Sequence, residues 1–489
     1  MIWFPLKIPS WIRWPSPSTT RHVFYGVLIG FSLSLTSTSF TLYIQSRRRR
    51  QRRFAAKFEQ RPIELRSDEI VSGVTGLIGN TPLVRINSLS DALGVEILGK
   101  AEFLNPGGSV KDRVALRMID DAERLGLLRP YTGSRIFEGT VGSTGISIAT
   151  IARARGYDCT IIMPDDVAEE KVKALKALGA DVERVRPASI VDKKQYVNLA
   201  RQRAAKFGRL DSTDKSSPNS KKKRPNIIES NSASVLVTTT ASRVEFDMED
   251  PHSKDEYLSK PRGYFADQFE NRSNYEAHYN GTGPEIWRQT NGRLDAFVSG
   301  AGTGGTIAGI GQYIKSKNEN VVIVLSDPEG SGLYNKVKHG VMFDRKETEG
   351  TKRRHQVDTV VEGIGINRLT NNIDLALPII DDAFRITDAE AVSMSRYLVK
   401  NDGLFLGSSS ACNLVACVKL VRRMGWAEGQ KVVTILCDSG SRHYSKPLLP
   451  RFTLMSALRN DEYLRKAHIP MDPQIVEDLL LPLPPLEPL

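Results

Sequence analysis

Residues 105–113 read Asn-Pro-Gly-Gly-Ser-Val-Lys-Asp-Arg and join a tight turn to an amphipathic helix. Proline and two glycines favour the turn, and Ser109 is a suitable N-cap, which places Lys111 in the first helical turn. The positive end of the helix dipole disfavours an ammonium group there and lowers its pKa. Schiff-base chemistry requires a lysine that loses its proton easily. On these residues alone, however, a solvated cluster of charges that opens a helix is the simpler interpretation.

Strands and helices alternate on both sides of this motif. Apolar runs typical of strands lie at 96–98, 135–138, 159–163, 181–185, 296–298, 321–325 and 432–436. Apolar residues recur with helical spacing at 114–125, 146–154, 169–178, 193–207, 389–400 and 411–424. This alternation predicts an α/β fold in which helices cover both faces of parallel sheets.

A second glycine-rich turn, Gly-Thr-Gly-Gly-Thr, occupies residues 302–306 between a predicted strand and a predicted helix. Small residues there let backbone N–H groups close on a phosphate at the helix N-terminus. Gly300, Gly302 and Gly305 also match the dinucleotide fingerprint GxGxxG, and Asp327 follows Gly305 by 22 residues. The segment alone therefore does not separate a phosphate cup from a nicotinamide site.

Two other turns follow predicted strands. Residues 140–145 read Thr-Val-Gly-Ser-Thr-Gly, and a turn of this kind at a helix start can bind a carboxylate through backbone N–H groups. Ser439 lies in the run Cys-Asp-Ser-Gly at 437–440, where the carboxyl end of a parallel strand faces the ligand crevice. Taken alone, each is explained by an ordinary cap or turn.

Together and in this order, the four turns resemble cysteine synthase (O-acetylserine sulfhydrylase) and its relatives, the fold-type II pyridoxal-phosphate enzymes. The resemblance covers about residues 68–446, and its most specific parts are 109–113 and the run Ile-Gly-Asn-Thr-Pro-Leu-Val-Arg at 78–85. A nicotinamide site explains neither of these two runs. Three further runs match the family, at 267–271, 282–287 and 362–365.

The resemblance implies a two-domain α/β enzyme similar to the tryptophan synthase β subunit, with pyridoxal 5′-phosphate between the domains. It implies that Lys111 holds the cofactor in a Schiff base and moves the α-proton, and that Ser439 bonds the pyridine nitrogen. A neutral serine partner there suits replacement at the β-carbon. The phosphate is expected at Gly302, Thr303, Gly304, Gly305 and Thr306. The substrate carboxylate is expected at Thr140, Val141, Gly142, Thr144 and Gln268, with Ser143 beside the cofactor.

The implied reaction makes L-cysteine and acetate from O-acetyl-L-serine and sulfide. Alternatives are a cystathionine β-synthase or serine dehydratase activity, and a degenerate relative that acts as a scaffold. Two departures from the family pattern keep these alternatives open. Val141 stands where the family has serine, and Ser143 stands where the family has an asparagine that contacts the cofactor. Family members are commonly dimers, so a homodimer is expected.

Residues 1–60 form a basic leader with ten Lys or Arg and one acid, which accounts for +9 of the formal net charge of +12. No nucleic-acid-binding face is therefore expected on the body. Within the leader, residues 23–44 carry no charge and are numerous enough to span ~30 Å of hydrocarbon, and basic residues 47–53 follow. A short, moderately apolar span with a basic C-terminal flank resembles the signal anchors of mitochondrial outer-membrane proteins, which implies a transmembrane anchor in that membrane. The positive charge after the span is expected to keep the body in the cytosol. A cleaved leader on a matrix enzyme is the alternative.

The body, about 61–450, is expected to contain a mobile smaller domain at about 111–208 and a disordered polar insertion at about 210–262. Residues 451–489 are expected to form a C-terminal tail. The four cysteines form no CxxC pair and have no histidine at ligand spacing. They are interpreted as buried structural thiols, and no metal site is expected.

Overall fold

A computed structural model describes residues 70–167, 169–208, 227–229, 236–238, 260–344 and 359–443, together with residues 25, 28, 30, 464–465, 468–470, 472 and 474–481. The chain divides into two units, Met1–Ile70 and Val71–Leu489. Apart from residues 25, 28 and 30, the predicted span 23–44 lies outside the described residues, as do most of the insertion and much of the tail. Within the described part, no helix is long and apolar enough to cross a membrane.

The larger of two main sheets has six strands in the order β1-β2-β12-β9-β10-β11. Its neighbours pair in parallel, except that the edge strand β1 runs antiparallel to β2. The inner strand β9 is buried at every position, as expected of a sheet covered on both faces. The six strands are β1 (Leu83–Arg85), β2 (Glu96–Ala101), β9 (Ala296–Gly300), β10 (Val322–Pro328), β11 (Asp382–Ile386) and β12 (Lys431–Leu436).

The smaller sheet has four parallel strands in the order β5-β4-β3-β8. They are β3 (Arg135–Gly139), β4 (Asp158–Pro164), β5 (Asp181–Val185) and β8 (Gly263–Phe265). Because β8 follows the insertion, this sheet extends beyond the range 111–208 expected for the smaller domain; the mobility of that domain stays a prediction. Inside the insertion, β6 (Ile227–Glu229) and β7 (Leu236–Thr238) pair antiparallel.

Helices fill the connections between strands, which confirms the predicted α/β alternation. The helix Ser408–Met424, labelled α12 below, is buried along most of its length and contains Cys412 and Cys417. All four cysteines are free, and only Cys437 is not fully buried. The helices are α1 (Asn87–Leu93), α2 (Lys111–Arg124), α3 (Ser143–Arg155), α4 (Glu169–Ala177), α5 (Tyr196–Lys206), α6 (Ser273–Ala277), α7 (Gly283–Gln289), α8 (Gly305–Lys317), α9 (Leu333–His339), α10 (Asn371–Ala376), α11 (Asp388–Asp402), α12 (Ser408–Met424) and α13 (Gln474–Leu480).

Candidate active site

A cavity of about 240 Å³ is lined by residues that follow the carboxyl ends of strands in both main sheets. This is where ligands bind in open α/β sheets. Most residues selected from the sequence lie around it: Lys111, Thr140, Val141, Ser143, Thr144, Gln268, Gly302, Thr303, Gly304 and Thr306. Gly142, Gly305 and Ser439 do not line it.

Lys111 is the first residue of α2 and lines the cavity beside the end of β12. The preceding residue fixes this position, because the backbone N–H of Val110 donates to the carbonyl of Cys437 at 3.0 Å. Burial lowers the pKa of the Lys111 ammonium, and nearby Cys437 and Asp438 offset part of that shift. The N-cap is Val110 rather than the predicted Ser109, whose hydroxyl accepts a hydrogen bond of 3.3 Å from the Lys111 N–H.

The turn before Lys111 is held by its own neighbours. The carboxylate of Asp112, almost fully buried, accepts a hydrogen bond of 2.5 Å from the Gly107 N–H. A Cβ atom at residue 107 would lie 2.3 Å from that carboxylate, so a side chain there would have to displace the buried Asp112 carboxylate. Asn105 donates to the carbonyl of Glu102 at 2.9 Å. Most of this motif therefore serves to position one lysine.

A buried network of charges lies behind the turn. Arg113 contacts Glu102 at 2.7 Å and Glu285 at 2.7 Å, and Lys100 also contacts Glu285 at 2.7 Å. Thr81 donates a hydrogen bond of 2.7 Å to Glu102. The network has two positive and two negative charges, so the buried ions compensate one another. It joins the runs 78–85, 109–113 and 282–287, whose shared role in the fold is thus structural.

The glycine-rich turn 302–306 forms one wall of the cavity. Gly304 is the N-cap of α8 with a φ of 91°, and the first backbone bond of the helix runs from Ala308 N to Gly304 O at 3.0 Å. The amides before Ala308 have no partner inside the helix. A Cβ atom at Gly302 would lie 2.3 Å from the carbonyl oxygen of Gly363. The turn is therefore a close-packed concavity of backbone donors, which suits a phosphate.

A buried histidine supports this wall. The Nε2 atom of His278 lies 3.2 Å from the Thr306 hydroxyl, and its Nδ1 atom lies 2.9 Å from the Thr282 hydroxyl. Burial, together with the charge of Lys111, holds the pKa of His278 well below its usual value. The ring is therefore neutral, and it ties a hydroxyl that lines the cavity to the helix behind it.

Asp327, the acidic residue that matched a dinucleotide site, does not line the cavity. Its side chain is fully buried and accepts a hydrogen bond of 2.7 Å from the Tyr334 N–H. A carboxylate placed in this way cannot bond the ribose of a nicotinamide cofactor. The geometry therefore favours the phosphate cup.

The turn 140–144 forms another part of the cavity wall. The Thr144 hydroxyl donates a hydrogen bond of 2.6 Å to Gln268, so two of the residues expected at the substrate carboxylate are in direct contact. Gly142 is the N-cap of α3 with a φ of 153°, and the side chain of Lys171 covers it. Val141 packs against the apolar cluster that contains Phe137.

The role expected of Ser439 stays a prediction. Beyond β12 the chain turns into a short 3-10 helix, and the Ser439 hydroxyl lies 2.9 Å from that of Ser441 and does not line the cavity. Ser409, which is 5% exposed and lies in the first turn of α12, does line the cavity. The run Gly-Ser-Ser-Ser at 407–410 could have indicated Ser409 from the sequence, because it is another turn of small residues at a helix start.

Several charged and aromatic residues of the cavity wall were also missed. Lys171 and Glu362 form an ion pair of 2.7 Å, and Arg368 stacks on the ring of Phe269 at 4.8 Å. Tyr196 lines the same wall at the start of α5. Glu362 lies in a run that matched the family, whereas nothing in the local sequence distinguishes Lys171 from other surface lysines.

Comparison with known proteins gives one family and several close relatives. The family model described as "Pyridoxal-phosphate dependent enzyme" matches residues 74–220 and 212–438. The chain is 52% identical over 402 residues to "Cysteine synthase 2" of Schizosaccharomyces pombe, which covers 82% of this chain and 87% of the relative. It is 54% identical over 378 residues to "Cysteine synthase 2" of Emericella nidulans, covering 77% and 79%. It is 47% identical over 375 residues to "Putative mitochondrial cysteine synthase" of Saccharomyces cerevisiae, covering 76% and 83%.

Proposed function

Because the chain belongs to the family of pyridoxal-phosphate-dependent enzymes, we propose that it makes L-cysteine and acetate from O-acetyl-L-serine and sulfide. The observation that carries the proposal is the convergence of Lys111, the glycine-rich turn 302–306 and the turn 140–144 on one cavity. The names of the three relatives support cysteine as the product.

The residues present fit pyridoxal 5′-phosphate. Free amides at the start of α8, with the hydroxyls of Thr303 and Thr306, would hold the phosphate. The amine of Lys111 would hold the aldehyde carbon. The hydroxyl of Ser439, as expected from the sequence, or that of Ser409, which lines the cavity, would bond the pyridine nitrogen. The positive end of α12 beside Ser409 disfavours a proton on that nitrogen.

When bound, the cofactor stabilises negative charge at the α-carbon of the amino acid. The protein supplies the remaining elements. Lys111, with its lowered pKa, accepts the α-proton and returns it to the product. The turn 140–144 and Gln268 orient the substrate through its carboxylate, which aligns the α-proton with the Lys111 amine. The leaving acetate and the entering sulfide then exchange at the neighbouring β-carbon.

Product analysis tests this proposal. Purified protein loaded with pyridoxal phosphate receives either O-acetyl-L-serine with sulfide or L-serine with homocysteine. We expect cysteine and acetate in equal amounts from the first pair and little product from the second. Cystathionine from the second pair as the dominant product would assign the chain to cystathionine synthesis. No product from either pair, with cofactor bound, would favour a scaffold.

We also propose that the protein resides at mitochondria, anchored in the outer membrane through residues 23–44 with the body in the cytosol. The uncharged run, the basic flank and the mitochondrial name of the Saccharomyces cerevisiae relative support this location. Protease added to intact mitochondria should digest the body, and the remainder should stay with membranes after carbonate extraction. Protection until the inner membrane is broken, with a shortened N-terminus, would instead mean a matrix enzyme with a cleaved leader.

We further propose that the protein is a homodimer, because members of the family are commonly dimers. Light scattering behind size-exclusion chromatography should give twice the mass of one chain for a protein that lacks residues 1–46. A single-chain mass at micromolar concentration would contradict it.

A further inference from the structure

The ion pair between Lys171 and Glu362 links two parts of the cavity wall that lie far apart in the chain. The Lys171 Nζ atom lies 2.7 Å from Glu362 Oε2, and the two side chains are only 12% and 13% exposed. Lys171 belongs to α4, which connects two strands of the smaller sheet, whereas Glu362 precedes β11 of the larger sheet. Both residues line the cavity, so the pair joins parts of the fold that belong to different sheets.

Each partner is attached to a different part of the candidate active site. On one side, the stem of Lys171 lies over Gly142: a Cβ atom on that glycine would be 2.9 Å from Lys171 Cδ. On the other side, the Glu362 N–H donates to the Ser408 hydroxyl at 2.8 Å, next to Ser409. The carbonyl of the following residue, Gly363, packs against the glycine-rich turn.

We propose that Lys171 and Glu362 are positioning residues, whose ion pair holds the turn 140–144 in its place on the cavity wall before substrate binds. This rests on the proposed function, since the turn is the assigned site of the substrate carboxylate. Glu362 holds the Lys171 ammonium group near Ser408 and the glycine-rich turn 302–306. The Lys171 stem lies against Gly142, the N-cap of α3. The amides of the turn are then already oriented when the carboxylate arrives.

Variants that remove one charge and keep the size of the side chain test the ion pair. Lys171→Met keeps most of the stem that covers Gly142, and Glu362→Gln keeps the size of the acid. Each should raise the KM for O-acetyl-L-serine about tenfold, equivalent to 1.4 kcal/mol, with kcat within about twofold. The double variant should be no worse than the worse single variant, because the two changes remove the same interaction. The matched control is Glu169→Gln, on the same helix, which breaks an exposed pair with Arg184.

Hydrogen exchange provides a readout that needs no substrate. Amides of residues 140–146 should exchange faster in both single variants than in the native protein and in Glu169→Gln. If cofactor-loaded native protein made no cysteine, the proposed function would fail while the exchange data still tested the pair. The proposal would be overturned if either variant kept both the native KM and the native exchange rate. It would also be overturned if the variants lowered only kcat, or if their effects on KM added in the double variant. If one variant did not fold, the other would decide.

Discussion

The carboxylate of Asp112 accepts a hydrogen bond from the backbone of Gly107 at 2.5 Å, and this contact closes the turn that precedes Lys111. The Asp112 side chain, which belongs to α2, therefore stabilises the loop that leads into the same helix. The Ser147 hydroxyl of α3 donates to the same carboxylate. The position of Lys111 is therefore tied both to its own helix and to the helix that follows the turn 140–144.

Gly107→Ala should disturb this arrangement, because the added methyl group would lie 2.3 Å from Asp112 Oδ1. The free energy of unfolding should fall by about 1–3 kcal/mol, the usual cost of overpacking a buried site, and cofactor occupancy should fall with it. Urea unfolding and visible absorbance measure the two effects. Gly281→Ala is the control, since only ordinary contact with Arg113 is found around that position. If Gly107→Ala and Gly281→Ala had the same stability and the same cofactor occupancy, the turn before Lys111 would not position that lysine.

The charge network predicts a pH dependence for Glu285. Burial alone would raise the pKa of this carboxyl, but Arg113 and Lys100 lower it to about 2, below the unfolded value of about 4.3. The ionised form therefore stabilises the fold fully above about pH 4.3, and this contribution is lost as the pH falls through about 2. Glu285→Gln should lower the free energy of unfolding by about 3 kcal/mol at pH 7, since it removes the carboxylate in contact with buried Lys100 and leaves Arg113 with Glu102 alone.

The difference in free energy between native protein and Glu285→Gln should narrow as the pH is lowered from 4.5 to 3. Urea titrations at pH 7, 4.5 and 3 measure it. Glu169→Gln, which breaks an exposed pair, should cost less than about 1 kcal/mol at pH 7. A constant difference for Glu285→Gln across the three pH values would show that its carboxylate does not titrate differently in the folded state.

Ser409 and Ser439 give a matched pair of variants. Ser409→Ala removes the hydroxyl that lines the cavity, and should reduce cysteine synthesis by about 2- to 12-fold, the worth of one hydrogen bond of 0.5–1.5 kcal/mol. It should also shift the visible absorbance of the bound cofactor. If Ser409 is the partner of the pyridine nitrogen, Ser439→Ala should leave rate and spectrum unchanged, because the Ser439 hydroxyl does not line the cavity. The reverse pattern would assign the pyridine nitrogen to Ser439.

The turn 140–144 departs from the family pattern at Val141 and Ser143. Ser143→Asn should add one hydrogen bond to the cofactor and leave O-acetyl-L-serine turnover equal or higher. Val141→Ser should also add a polar contact, but it removes a side chain from the apolar cluster around Phe137 and should lower the melting temperature. Steady-state kinetics of both single variants and the double variant test this. A loss of more than tenfold in the double variant, with cofactor retained, would mean that the native turn is tuned for a different substrate.

Sequence reasoning found the turns of the site because glycine, proline and hydroxyl residues at helix starts have local physical causes. Each turn alone has an ordinary structural explanation, and their order along the chain, which resembles the family, selected Lys111 and the turn 302–306; both line one cavity. Ser439 was selected in the same way, but its hydroxyl lies beside Ser441 and not on the cavity wall, a detail that only tertiary packing decides. Lys171 carries no local signal, because its role depends on Glu362, 191 residues further along the chain.

We expect Lys111 to carry the cofactor. Protein loaded with pyridoxal phosphate is reduced with borohydride, digested and mapped by mass spectrometry. The reduced pyridoxyl group should be found on the peptide that contains Lys111, and Lys111→Ala should show no such adduct and lose at least about 100-fold in activity. An adduct on any other lysine of the native protein, such as the cavity residue Lys171, would contradict the account.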